Sequence, residues 1–115
     1  MTDEDADALF HALAHAHRRR IVDLVSAQPG ITVGRLACYF DVSRIAVMNH
    51  LATLERAGLV LSEKAGASRR LYVNTTPIQA IYERWTNAFS GHWASHLLNI
   101  KRASEQAAQK EKADE

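Results

Sequence analysis

Residues 32–58, TVGRLACYFDVSRIAVMNHLATLERAG, decide the fold of this chain. Thr32 is a good N-cap, and apolar residues at helical spacing follow it as far as Phe40. After a short connection, Ser43 caps a second helix that ends at Gly58. Two helices joined this tightly indicate a helix-turn-helix, whose second helix can enter the major groove of DNA. A plain helical hairpin inside a core is the alternative.

The segment behind Gly58 separates these alternatives. Residues 59–64 and 69–74 are β-prone, and the cluster Ala65-Gly66-Ala67-Ser68 between them is typical of a turn. A β-hairpin directly behind the second helix is the wing of a winged-helix domain, and a helical hairpin would not need it. The predicted fold class is therefore mainly α with a small β-hairpin, a winged helix-turn-helix.

Two further helices are predicted before the motif, over residues 5–15 and 17–27. Each carries a stripe of apolar residues for burial: Leu9, Leu13 and Ala16 for the first helix, and Ile21, Leu24 and Val25 for the second. The run Arg18-Arg19-Arg20 falls in the first turn of the second helix, where the helix dipole disfavours positive charge. It is either a solvated turn, with Arg19 or Arg20 paired to Asp23, or a phosphate contact.

A last helix is predicted from Pro77, with Thr76 as its N-cap. Its apolar stripe continues to Ile100, which is longer than a small core needs, and we expect a second copy of the chain to cover part of it. The domain then spans residues 1–104, and residues 105–115 form a frayed or disordered tail. The expected homodimer interface, on the terminal helices, comprises Leu9, Phe10, Leu13, Trp85, Phe89, His92, Trp93, His96, Leu97 and Ile100.

Composition and charge agree with a DNA-binding domain. Of 115 residues, 47% are hydrophobic and 23% charged, as in an ordinary globular protein, and a cytoplasmic location without membrane contact is the default expectation. Residues 18–70 carry nine Lys/Arg against four Asp/Glu, so positive charge is concentrated on the motif. Glycine-rich phosphate loops and nucleophile motifs are absent, so the chain is not predicted to be an enzyme or to need a cofactor.

The chain resembles the ArsR-type winged-helix transcriptional regulators. The resemblance is carried by LFHALAHAHRRRIVDLV, by ITVGRLACYFDVSRIAVMNHLATLERAGLV and by the hairpin end RRLYVN. The closing stretch PIQAIYERWTNAFSGHWASHLLNIKR is similar to a branch with a tryptophan-containing last helix. The resemblance implies a homodimeric repressor that binds an inverted-repeat operator and, in many members, responds to a metal or another inducer. Metal-sensing members commonly carry a cysteine pair where this chain has only Cys38, so that type of site is not expected.

The predicted partner is double-stranded DNA, with the helix 43–58 in the major groove and the wing 59–74 on the backbone or in the minor groove. Arg44 suits a guanine edge or a phosphate, Asn49 suits adenine, and Ile45 suits a thymine methyl. The full set of predicted DNA contacts is Ser43, Arg44, Ile45, Met48, Asn49, His50, Thr53, Lys64, Ser68, Arg69 and Arg70. The alternative function is a winged-helix module that binds protein without sequence-specific DNA binding.

Candidate sensing residues are few. The pairs His11/His15 and His92/His96 have i, i+4 spacing, which places two imidazoles on one helical face, but neither pair has an obvious third ligand and no metal site is expected. Cys38 is a redox handle, half of an intermolecular pair or, more commonly for such a residue, a small packed side chain. An unknown metal or small-molecule effector stays open.

Overall fold

The computed structural model describes residues 1–86 and 90–114. Its elements are α1 (Asp3–Leu13), α2 (Ala16–Ala27), β1 (Ile31–Thr32), α3 (Val33–Ala37), α4 (Arg44–Arg56), β2 (Val60–Ala65), β3 (Ser68–Val73), α5 (Thr76–Trp85) and α6 (Ser90–Asp114). The chain divides into two compact units, Met1–Ile81 and Tyr82–Glu115. The predicted fold class, mainly helical with a small β-hairpin wing, is confirmed.

Helix α1 begins with a capping box. The Thr2 hydroxyl accepts a hydrogen bond from the Asp5 N–H at 3.1 Å, and the Asp5 carboxylate accepts one from the Thr2 N–H at 3.0 Å. The helix ends at Leu13, two residues before the predicted end, because His15 is the N-cap of α2. Ala16 therefore belongs to α2, where it is exposed, and the prediction that it lies on the buried face of α1 is wrong.

A two-residue strand, β1, precedes α3 and was not predicted. Gly30 turns the chain into it with a φ of 86°, and the Gly30 N–H donates to the Leu71 carbonyl oxygen at 2.8 Å. Thr32 ends this strand and is also the N-cap of α3, as predicted, since its hydroxyl accepts from the Arg35 N–H. Helix α3 is shorter than predicted and ends at Ala37.

Helix α4 is anchored at both ends. The Ser43 hydroxyl accepts from the Ala46 N–H at 3.1 Å, which confirms the predicted N-cap. At the other end, the Leu59 N–H donates to the Leu54 carbonyl and the Gly58 N–H to the Glu55 carbonyl, both at 3.0 Å. This pair of bonds is a Schellman motif, with Gly58 in left-handed geometry at a φ of 75°.

The hairpin belongs to a three-stranded antiparallel sheet in the order β1-β3-β2. Its turn is shorter than predicted, because Ala65 pairs with Ser68 and leaves only Gly66 and Ala67 in the loop. A positive φ at Gly66 alone matches the sign pattern of a type II′ turn, whose twist suits a hairpin.

The core lies in the first unit and joins every element from α1 to β3. Its fully buried large side chains come from all of these elements except the two-residue β1: Leu9, Ile21, Val25, Leu36, Val47, Leu51, Leu54, Leu59, Val60 and Leu71. Ile81 of α5 packs against this cluster from outside.

The C-terminal part departs from the single long helix that was predicted. Thr76 is the first residue of α5 rather than its N-cap, and its N–H donates to the Asn74 side-chain oxygen at 3.2 Å. Helix α6 follows as a separate element and includes residues 105–114, so of the two predicted alternatives for this segment, a frayed helix or a disordered tail, the structure has a helix. None of the helices in the described ranges is long and apolar enough to cross a membrane.

Replacing Gly58 with alanine is expected to lower the free energy of unfolding by about 1–2 kcal/mol, because a Cβ disfavours left-handed backbone geometry. Urea unfolding followed by circular dichroism measures the change. Gly34→Ala is the matched control, since Gly34 lies in α3 without a positive φ and an added Cβ would meet only an Arg44 nitrogen at 3.8 Å. Equal losses in both variants would contradict the role assigned to Gly58.

Candidate nucleic-acid interface

One side of α4 is exposed because the opposite side is held in the core. Val47, Leu51 and Leu54 are completely buried, as predicted. The predicted DNA-reading residues of the N-terminal half are all exposed: Arg44 in the first turn, and Ile45, Met48 and Asn49 away from the buried side. Ile45 is 72% exposed.

A cleft of about 150 Å³ joins this side of α4 to the wing. It is lined by Arg44 and Met48 of α4, by Ser68 and Arg69 of β3, and by the start of α3. The fold thus brings together four of the predicted DNA contacts from two separate segments of the sequence. Ser43 is exposed at the same end of α4.

The two wing arginines do not share a face. Arg69 forms an ion pair with Glu55 of α4, with 3.1 Å between its Nη1 and the carboxylate oxygen, and also lies 3.4 Å from the Ser62 hydroxyl. Arg70 instead donates to the Gly30 carbonyl oxygen at 3.2 Å. Successive side chains of a strand point to opposite faces, so Arg69 and Arg70 must lie on opposite faces of the hairpin. The sequence prediction missed Glu55 as a partner of the wing.

The other predicted contacts do not line the cleft: Ser43, Ile45, Asn49, His50, Thr53, Lys64 and Arg70. Lys64 is exposed and pairs with Arg69 in the strand register. Thr53 lies towards α1, where it lines a separate cleft with His11, and its hydroxyl donates to the Asn49 carbonyl at 3.2 Å. His50 is half-buried on the side of α4 that faces α2.

His50 contacts Arg18 of α2, and the Arg18 guanidinium also bonds to the end of α1. Its Nε donates to the Ala12 carbonyl at 2.8 Å, its Nη2 to the His11 carbonyl at 3.1 Å, and its Nη1 lies 3.3 Å from His50 Nδ1. Because a guanidinium has no acceptor, His50 Nδ1 must accept this bond. Arg18 therefore caps the end of α1 and holds α4 against it.

Arg19 and Arg20, which follow Arg18, also contact other residues of the same chain. Arg19 donates to the Leu13 carbonyl at 2.7 Å, and the Arg20 guanidinium lies 5.3 Å from the centre of the Phe40 ring. Positive charge at the start of α2 is disfavoured by the dipole of α2, but here it meets the negative C-terminal end of α1. Neither Arg19 nor Arg20 is paired with Asp23 in the described structure.

Three histidines meet beside Arg18. The ring centres of His15 and His50 are 4.4 Å apart, and the His17 ring lies 5.2 Å from His15 and 5.6 Å from His50. His15 Nδ1 accepts a hydrogen bond from the His17 N–H at 3.1 Å. The predicted pairing of His11 with His15 on one helical face is wrong, because α1 ends between them.

Both His15 and His50 have pKa values below the ordinary histidine value. Desolvation by the packed neighbours is the main cause for each. Positive charge adds to it, from Arg18 at His15 and from His15 and Arg18 at His50. A lowered pKa favours the neutral form of each imidazole, in which Nδ1 can accept a hydrogen bond.

The predicted dimer residues divide into buried and exposed groups. Leu9 is only 2% exposed within its own core, so its side chain is not available to a second copy, and Leu13 packs against the same core. The exposed members are Phe10, Trp85, Trp93, His96, Leu97 and Ile100. Phe89 and the side chain of His92 lie outside the described residues, so the proposed pairing of His92 with His96 is not described either.

Comparison with known proteins agrees with this architecture. A family model described as a helix-turn-helix domain matches residues 13–63. An uncharacterized HTH-type transcriptional regulator of Bacillus subtilis, YuzN, is 38% identical over 85 residues, which cover 69% of this chain and 92% of the relative. The transcriptional repressor SdpR of the same organism is 30% identical over 71 residues, covering 62% and 78%.

The structural comparison extends over more of the chain. A solved ArsR-like transcriptional regulator from Rhodococcus sp. RHA1 has a TM-score of 0.67 and 26% identity, over 92% of this chain and 98% of that one. The chain belongs to the ArsR-type winged helix-turn-helix transcriptional regulators, which bind DNA and are not enzymes.

Stability is expected to fall as the pH is lowered below about 6.5, the ordinary histidine pKa. The unfolded chain binds protons in this range that folded His15 and His50 do not, since their folded-state pKa values are lower. Urea unfolding in the presence of a chelator, at about pH 7.5 and 5.5, measures the loss.

The double variant His15→Asn/His50→Asn should show a smaller loss, because an asparagine oxygen replaces each Nδ1 acceptor without titrating. His11→Asn serves as the control, since His11 lies outside the cluster. A double variant that loses as much stability as the wild type would show that other groups are responsible.

Proposed function

We propose that the chain acts as a homodimeric repressor that binds an inverted-repeat DNA operator. Helix α4 lies in the major groove, and the wing contacts the adjacent backbone or minor groove. The observation that carries the proposal is the cleft in which Arg44 and Met48 of α4 meet Ser68 and Arg69 of the wing. Two DNA-reading segments converge there on one surface, and the cytoplasm is the expected location for such a regulator.

The outer side of α4 supplies the proposed base contacts. Arg44 reaches a guanine edge or a nearby phosphate from the first turn, and Asn49 pairs with adenine through its amide. Ile45 contacts a thymine methyl group, which would account for an apolar side chain that is 72% exposed. Met48 lines the same cleft as Arg44 and contributes an apolar contact to the groove.

The wing supplies affinity more than sequence choice. We propose that Lys64, Ser68 and Arg69 contact phosphates, with Arg69 leaving Glu55 to do so. The ion pair between Arg69 and Glu55 is partly exposed and so contributes little to stability. Breaking it to bind a phosphate therefore costs little free energy. Ser43 and Thr53 are proposed phosphate contacts at the two ends of the face. His50 and Arg70 do not line the cleft, and Arg70 lies on the opposite face of the hairpin from Arg69.

The proposed dimer uses the apolar side of α6. Trp93, Leu97 and Ile100 recur at i, i+4 and i+7 and are each more than half exposed, at 52%, 59% and 52%. An exposed apolar stripe of this kind is typical of an interface. A twofold dimer would present two copies of α4 to two half-sites of an inverted repeat.

Asn49→Ala and Arg69→Ala are expected to weaken DNA binding in different ways. Asn49→Ala should reduce discrimination between the operator and single-base variants by about 1–3 kcal/mol at one position. Arg69→Ala should weaken binding to all duplexes and reduce the salt slope by about 1, since one phosphate contact is lost. Fluorescence anisotropy on an operator selected from random duplexes measures both effects across a range of salt.

Arg70→Ala is the matched control for the wing, because it removes the same charge from the opposite face of the hairpin. It should change the salt slope less than Arg69→Ala does. Equal slopes in the two variants would contradict the wing assignment. Failure of selection to enrich any sequence would favour the alternative of a protein-binding winged helix.

Leu97→Glu is expected to dissociate the dimer, because it places a charge in the centre of the proposed apolar interface. The mass in solution, from light scattering or sedimentation, should fall towards the 12.8 kDa of one chain. Asn99→Glu adds the same charge about 200° around the helix and should leave the dimer intact. A wild-type chain that is already monomeric at micromolar concentration would rule out the proposed dimer.

A further inference from the structure

The histidines that meet beside Arg18 come from distant parts of the chain. His15 is the N-cap of α2, His17 lies in the first turn of α2, and His50 lies on α4. One nitrogen from each imidazole lies within 4.8 Å of the other two. Within the described part of the chain, no other group of three or more His, Cys, Asp or Glu side chains is placed to hold a metal ion. It shares only His15 with the pairs that sequence spacing singled out.

We propose that His15, His17 and His50 bind a divalent first-row transition-metal ion, Zn²⁺ being the fitting example. Neutral imidazole is a favoured ligand of such ions, and three imidazoles with water as the fourth ligand form a known type of zinc site. Tetrahedral ligands about 2.0–2.1 Å from zinc lie about 3.4 Å from one another. The widest separation between the three ligand nitrogens is at most 4.8 Å, so it must shorten by at most about 1.4 Å to reach this spacing. Rotation of the imidazole rings can supply a movement of this size.

The surroundings allow access and side-chain movement. His15 is exposed, and His17 and His50 are half-buried, so an ion can enter from solvent and keep a water ligand. The rings are packed against one another and, at His17, against Phe40 with 5.7 Å between ring centres.

Metal binding would compete with Arg18. In the metal-free chain both His15 and His50 accept hydrogen bonds at Nδ1, so each neutral ring carries its proton on Nε2. The ion must either take Nδ1 from its donor or bind Nε2 after the proton has moved to Nδ1. In both cases His50 ceases to accept from Arg18, and Nη1 of the guanidinium loses its acceptor.

The site therefore couples metal loading to the contact between α1, α2 and α4. Arg18 would keep its bonds to the His11 and Ala12 carbonyls at the end of α1 and lose its bond to α4. The ion would replace that bond with a direct link from the start of α2 to His50. An effect of this exchange on DNA binding rests on the proposed function, but the metal site does not, because it can be measured without DNA.

The test is a Zn²⁺ titration of the full-length, untagged, chelator-stripped chain against a chromogenic competitor, repeated with Co²⁺ to observe its visible absorption. We expect one ion per chain in a four-coordinate nitrogen and oxygen environment. His17→Asn should weaken binding at least tenfold without unfolding the chain, since the His17 side chain makes ring contacts rather than a capping bond. Thermal unfolding of metal-free samples verifies that the variant is folded.

His11→Asn and His96→Asn are matched controls outside the cluster and should retain wild-type affinity. Nitrogen NMR of the imidazoles gives a second readout that needs no variant, since the resonances of His15, His17 and His50 should shift together at one equivalent of Zn²⁺. The proposal would be overturned by His17→Asn binding as tightly as the wild type, by loss of binding in either control, or by no saturable binding at micromolar Zn²⁺.

Discussion

The burial of three side chains of α4, Val47, Leu51 and Leu54, determines the rest of the structure. All three are fully buried, so the helix cannot turn about its axis without exposing leucine or valine to water, at about 1.5–3 kcal/mol for each side chain. Fixing the rotation of α4 presents Arg44 and Asn49 outward. The Schellman turn that follows then leads the chain directly into the wing, which returns beside Arg44.

A second constraint is electrostatic and concerns Arg18. Its guanidinium lies at the unfavourable end of α2 but meets carbonyl oxygens at the end of α1, so one helix terminus satisfies the other. The third bond of the same side chain reaches His50 and so connects this junction to α4. The junction, the neutral histidines and the position of α4 thus depend on one another, and a ligand of the histidines would act on all three.

Local signals explain which features were predictable. Thr32, Ser43 and Gly58 each act on backbone groups within a few residues, so their capping roles could be inferred from spacing alone and are confirmed. The two-residue β1 has no such signal, because its pairing with Leu71 depends on a contact forty residues away. The end of α1 was placed too late, since alanine and histidine at residues 14–15 do not interrupt a helical pattern.

The sequence by itself determined the order of helices and hairpin, the buried side of α4 and the four exposed residues Arg44, Ile45, Met48 and Asn49, because hydrophobic periodicity encodes them locally. Only the tertiary structure decided that Arg69 faces Glu55 while Arg70 faces Gly30, and that Leu9 is buried in its own core. The tertiary structure also places His50 beside His15 and His17, which the sequence did not predict. Distances between remote segments depend on how the elements pack, and spacing along the chain carries no record of that packing.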